Sequence, residues 1–369
     1  MPYSLRLSGF FFALGIFLST IYVFESGLPQ PGHIMLLVAS LLLFFSQKKI
    51  VVPKKYLLQI GLFVFYCSLI NLFYAVYFQD ADFLKPSLFL IYNSIIFFAV
   101  FQAIKNNILS FKALVVTFFC AASLQLLLFF SGTGRTIEGV RFYGLFNDPN
   151  QMAYWFICML ATVFFVAEQQ SKKNILLSVF LVIFAVVVIM LSASRSGLLG
   201  LLPFVIYVAI QSLKAKSIVN RGFKLFLFAL CALIFSLAGI ETAVEYANED
   251  VLIERLKNTD FSGEAEIRGY NRIVDYPEML VIGGGEGAHK RFNVTGVEIH
   301  STWVGILFYY GVVGAFLFLF FLRGALKDKG SVVLLLFFAP VFYGLATYGL
   351  RTPIFWIMLA GLCSVKRKI

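Results

Sequence analysis

The sequence predicts an all-α membrane protein: one helical bundle of about twelve transmembrane helices with a single large external loop. Three observations predict it. Of the 369 residues, 60% are hydrophobic and only 13% are charged, whereas soluble domains carry roughly a quarter charged residues. Mean hydropathy is +0.88. Apolar runs recur at about the 20-residue length that a helix needs to cross a bilayer. Each run is continuously apolar, as in Ile175 to Leu191, which excludes the period-two alternation of a membrane β-barrel.

In chain order the expected spans are 5–24, 32–47, 56–78, 87–104, 112–130, 149–167, 174–191, 196–213, 222–241, 300–322, 331–348 and 352–365. Residues 1–241 thus hold nine spans, 242–299 form the large loop, and 300–369 hold the last three. Arg6 before the first span resembles the start of a signal peptide, but no small-residue cleavage pattern follows, so that span is expected to be retained. The five cysteines (Cys67, Cys120, Cys158, Cys231 and Cys363) lie in or beside apolar runs without a CxxC pair, and indicate neither a disulfide frame nor a zinc site.

Charge orients the bundle. Lysine and arginine fill alternate gaps: Lys48 to Lys55, Lys105 and Lys112, Lys172 and Lys173, Lys214 to Lys224, Arg323 to Lys329, and Lys366 to Lys368. With Arg6 they make nineteen of the 30 basic residues, against only Glu168 and Asp328 among the acids. The positive-inside rule places these gaps and both termini in the cytoplasm. The net charge of +11 therefore reflects topology and not affinity for nucleic acid.

The external segments are then 25–31, 79–86, 131–148, 192–195, 242–299 and 349–351. In the large one, Glu241 to Leu256 and Glu266 to Leu280 have helical character, separated by the turn-rich stretch Asn258 to Gly263. Ionisable residues are almost absent inside the spans, unlike ion-coupled transporters. They gather instead at external helix ends.

Between the fifth and sixth spans, Asn147 and Asp148 can supply cap oxygens and Pro149 suits a first helical turn. The exposed amides of that turn, with Asn150 beside them, could instead face a polar or anionic ligand. Arg195 lies in Ser194-Arg195-Ser196-Gly197, and Arg351 in Leu350-Arg351-Thr352-Pro353. A lone interfacial arginine is often only an anchor, but several on one face point to an anionic ligand. Arg268 and Arg272 would share a face of one helix. The cluster Gly283 to Gly287 lacks the Gly-Lys-Ser/Thr ending of a P-loop and reads as a flexible turn. Of the three histidines, His33 and His289 read as structural. His300, two residues after Glu298, has the near-neutral titration that suits a general base. Asn293-Val294-Thr295 matches a glycosylation sequon by pattern alone.

These motifs, in this order, resemble the bacterial O-antigen polymerases (Wzy type) and the related O-antigen ligases. The resemblance rests on Phe146-Asn147-Asp148-Pro149-Asn150, Ser194-Arg195-Ser196-Gly197, Arg268 followed by Pro277 and Gly283 to Gly287, and His300 before Gly311-Val312-Val313-Gly314. It covers roughly residues 131–325, and Asp148 inside the turn departs from the usual pattern. The resemblance implies a GT-C-like glycosyltransferase of a bacterial inner membrane, acting at the periplasmic face on glycans carried by undecaprenyl diphosphate. It implies metal-independent inversion without a cofactor: His300 as base, Arg195 and Arg268 on the diphosphate, Arg272, Arg351, Asn147 and Asn150 binding substrate, and Glu298 orienting the histidine. Implied partners are the lipid-linked donor, a glycan acceptor, membrane lipid and a chain-length regulator. Polymerase is the favoured reading. Ligase, with lipid A core as acceptor, and a transporter or flippase remain alternatives.

Overall fold

The computed structural model describes residues 3–25, 27–47, 52–137, 141–171, 174–214, 268–292 and 298–365. The expected span 222–241, the helical stretch Glu241 to Leu256, the turn 258–263 and the sequon 293–295 lie outside them. The described residues form a helical membrane protein. In order, the helices are α1 (Tyr3–Leu18), α2 (Pro31–Ser46), α3 (Lys54–Phe78), α4 (Leu84–Lys105), α5 (Phe111–Phe130), α6 (Pro149–Gln170), α7 (Ile175–Leu191), α8 (Arg195–Gly200) and α9 (Leu202–Lys214). After them come α10 (Arg272–Asp275), α11 (Met279–Ile282), α12 (Thr302–Leu326), α13 (Ser331–Tyr343) and α14 (Pro353–Ser364). Among the described residues, helices occupy eleven of the expected spans, and six stretches are long and apolar enough to cross a membrane by themselves.

Two helices form the centre. Every residue of α14 is buried, and so is almost all of α6; α14 packs against both α6 and α4. The outer helices keep one face exposed, as in α3 with Phe65, Leu69, Phe73 and Val76, which suits a lipid surround. α1 pairs with α2, and α12 packs on α3. The external gap expected at 131–148 holds a small antiparallel hairpin, β1 (Arg135–Ile137) with β2 (Arg141–Gly144). Three- and four-residue strands are too short to show in the hydropathy pattern.

Two irregular segments interrupt the helical pattern at one end of the bundle. α13 and α14 have 13 and 12 residues, or only ~20 Å each at 1.5 Å per residue, and the chain between them, 344–352, is non-helical. Non-helical backbone packed within an apolar bundle must be satisfied by protein. Here Asn93 donates to the carbonyls of Leu350 and Arg351, Trp356 donates to Leu350, and the Thr302 amide donates to Gly344 and Thr347.

The second segment is the glycine cluster, which is not a loose turn. Residues 279–287 fold back into the bundle against α12, where Gly311 breaks the helix at φ 63 and ψ −172. The Phe308 and Tyr309 carbonyls just before the break accept from the Gly284 and Gly285 amides, at 2.8 Å each. A Cβ on Gly311 would lie 2.5 Å from the Val281 carbonyl oxygen, and one on Gly283 would lie 2.7 Å from that of Tyr309. The two backbones therefore interlock only as glycine. Gly311 is nine residues into α12, ~13 Å along its axis, so the segment re-enters the bundle from its end.

Candidate active site

The end of the bundle that carries His300 gathers most of the residues singled out from sequence. Asp148 is the N-cap of α6: its Oδ1 accepts from the amides of Asn150 at 2.7 Å and Gln151 at 3.2 Å. Asn147 is exposed beside it, so the cap role falls to Asp148 alone. Asn150 Oδ1 accepts from Arg141 at 3.1 Å and from Ser194 Oγ at 3.4 Å. Ser194 caps α8 through the Gly197 amide and lies 2.9 Å from the Tyr343 hydroxyl. The Asn-Asp-Pro-Asn turn and the Ser-Arg-Ser-Gly turn, 44 residues apart, thus share one polar cluster. Arg195 is exposed at the start of α8.

His300 precedes α12. Ser301 is the cap, accepting from the Val304 amide at 3.3 Å. The His300 amide donates to the Arg268 carbonyl at 3.1 Å, and Arg268 Nη1 donates to the Ala346 carbonyl at 3.4 Å. Tyr270 ties the same place together by donating to the carbonyls of Leu345 and His300. The His300 side chain is exposed at this rim. Desolvation, with Arg268 and Arg351, holds its pKa below the usual 6.5, against the opposing pull of Asp148 and Glu298.

Arg268 and Arg272 do not share a helix face. From Arg268 the chain is a turn, followed by the one-turn helices α10 and α11 with Pro277 between them. Proline there removes a backbone donor and stops the expected continuous helix. Arg272 is 1% exposed and stacks over Phe292 at 5.2 Å. Burial pushes its pKa down from the ordinary arginine value.

Arg351 lies between two carboxylates. Its Nε is 2.5 Å from Glu286 Oε1, and its Nη2 donates to Glu298 Oε2 at 2.5 Å. Burial works against its charge, but Glu286 and Glu298 outweigh it and hold the guanidinium firmly protonated. Glu298 also pairs with His289 at 3.5 Å. Desolvation of Glu298 is overcome by Arg351 and His289, so its pKa lies well below the carboxylate range. Among the described residues the Glu298 carboxylate meets Arg351 and His289, and not the His300 ring it was expected to orient. His33 has a structural place, completing a capping box with Gln30 at the start of α2.

Sequence reading missed Glu286. It is fully buried, its amide donates to Asn71 Oδ1 at 2.8 Å, and its Oε2 accepts from the hydroxyls of Tyr310 at 2.6 Å and Tyr348 at 2.8 Å. Its signal was a single acid inside a glycine run, which hydropathy reads as loop. Arg291 fixes that run from the other side. It donates to the carbonyls of Gly284 and Gly285, and its guanidinium lies 4.3 to 5.0 Å from the rings of Phe292, Phe83 and Tyr74. Burial pushes its pKa down to about 10, which leaves it charged at neutral pH.

Beside the network opens a narrow cleft lined by Tyr22, His33, Gln151, Tyr154, Trp155 and Tyr348, with no carboxylate or guanidinium among its lining residues. Compared with protein-family models and with curated proteins, the sequence matches none.

Proposed function

We propose that this chain is an integral-membrane glycosyltransferase that extends glycans carried on undecaprenyl diphosphate. In this reading it has twelve spans in a GT-C-like arrangement, both termini in the cytoplasm of a bacterial cell, and the His300 end facing the periplasm. The observation that carries the reading is convergence: His300, Arg268, the Asn150 turn and the Ser194 turn come from four distant stretches and meet at one end of the bundle.

The chemistry follows from the charge states. A neutral imidazole at His300 takes the proton of an acceptor hydroxyl as its oxygen bonds to the anomeric carbon of the donor. The bond from that carbon to the diphosphate oxygen breaks, and the diphosphate leaves with the electron pair. Arg268 at the His300 backbone and the exposed Arg195 supply permanent positive charge for that leaving group, with donors in a fork that suits phosphate. Arg272, stacked on Phe292, and Arg351, held by two carboxylates, serve this reading as scaffold and not as direct phosphate ligands.

The test is reconstitution with purified undecaprenyl-diphosphate oligosaccharide. Chain lengthening without lipid A core supports a polymerase. Transfer only when core is added identifies a ligase, and movement of lipid-linked units across the bilayer without bond formation identifies a transporter.

A further inference from the structure

The glycine cluster carries Glu286, the one fully buried carboxylate among the described residues. Buried charges are costly unless paired, and an ionisable residue at membrane depth calls for a function. Glu286 is held by three kinds of contact: its own amide on Asn71 of α3, the two tyrosine hydroxyls, and the Arg351 guanidinium. Arg351 belongs to the other irregular segment, 344–352, and its remaining partner Glu298 is two residues before His300. One chain of contacts therefore runs from the re-entrant segment, through Arg351, to the backbone that carries the candidate base.

We propose that Glu286 is a positioning residue: delivered into the bundle by the re-entrant glycine segment, its carboxylate fixes the Arg351 head group against Glu298 and so anchors the backbone two residues before His300. This rests on the reading of the His300 end as the reaction site. The geometry favours positioning over substrate contact because Glu286 is fully buried while its partner keeps 21% of its side chain exposed. Two tyrosines saturate the second carboxylate oxygen, so the group cannot rotate away from Arg351 without leaving hydroxyls unpaired. Removing the carboxylate leaves Arg351 tied to Glu298 alone, on a side chain with four rotatable bonds.

Two readouts on the full-length protein in lipid nanodiscs test this. The first needs no activity: modification of individual arginines by phenylglyoxal, followed by mass spectrometry. Glu286→Gln is expected to raise the labelling rate of Arg351 at least about fivefold and leave that of Arg195 unchanged, since a guanidinium released from one of two partners is the more open to attack. Unchanged labelling of Arg351 overturns the proposal. The second is kinetic: Glu286→Gln lowers kcat about tenfold with donor KM within about twofold, and adds nothing in an Arg351→Gln background, because coupled residues are non-additive. Additive losses would show that Glu286 acts by another route and also overturn it. If Glu286→Gln does not fold, Tyr348→Phe, which strips one hydroxyl from the carboxylate without stranding a charge, is expected to raise Arg351 labelling about twofold, and no rise overturns the proposal. A wild-type protein that fails to transfer sugar defeats the proposed function, while the labelling still decides whether Glu286 holds Arg351.

Discussion

His300 and Arg351 show how far single residues could be read. His300 could be picked out in sequence by its place just before a helix, two residues after Glu298, and the structure sets its backbone against Arg268; its role as a base belongs to the proposal. Its depressed pKa gives a pH prediction. The base must be neutral, so activity is lost as pH falls through the folded-state value, and the acid limb of kcat/KM lies below pH 6.5, the ordinary histidine value. A limb above 6.5 would contradict a desolvated His300 as the base. Arg351 was legible as important but not in its role, because nothing in Leu350-Arg351-Thr352 announces a partner 65 residues upstream. Replacing it with Ala strands the fully buried Glu286, and loss of one partner of a buried pair costs about 3–5 kcal/mol. Arg351→Ala is therefore expected to lower the thermal midpoint in detergent clearly, whereas Asn147→Ala, at an exposed position, leaves it within error.

At the scale of elements, hydropathy located the helices well because lipid demands long apolar runs and satisfied backbones. It failed where the backbone is irregular inside the bundle. Segments 279–287 and 344–352 are short, mixed in polarity and rich in glycine or threonine, so in sequence they look like ordinary loops. Their real constraint is the Gly311 break, visible only once α12 and the re-entrant segment are in contact. Gly311→Ala is expected to unfold the interlock, since a Cβ there meets the Val281 carbonyl oxygen at 2.5 Å, and a non-glycine residue at φ 63 and ψ −172, a region open essentially to glycine alone, costs about 1–3 kcal/mol before any clash. Gly61→Ala in α3, where a Cβ meets nothing within 4 Å, is the control and should be neutral or stabilising. Equal thermal midpoints for the two variants would show that the interlock does not hold the fold. The hairpin at 135–144 was missed for a related reason: three- and four-residue strands carry too little alternation to be seen.

For the whole molecule, the described bundle has a fully buried centre in α6 and α14 and an apolar outer surface, as a protein solvated by lipid requires. The charge asymmetry of the gaps predicts an orientation, with both termini cytoplasmic. In a cysteine-free background, an impermeant thiol reagent added outside intact cells is expected to label Asn147→Cys and not Lys105→Cys; the reverse pattern would invert the proposed topology and remove the His300 end from a periplasmic substrate. The central claim is that this end transfers sugar from a lipid diphosphate with His300 as the base. Its most direct test is to reconstitute the wild-type and His300→Ala proteins, both shown to be folded, with undecaprenyl-diphosphate oligosaccharide and follow glycan length by gel or mass spectrometry. The account predicts a ladder of lengthened chains from the wild type without added core, and at least a ~100-fold slower reaction from His300→Ala. A full ladder from His300→Ala, or none from the wild type with any acceptor, would contradict it.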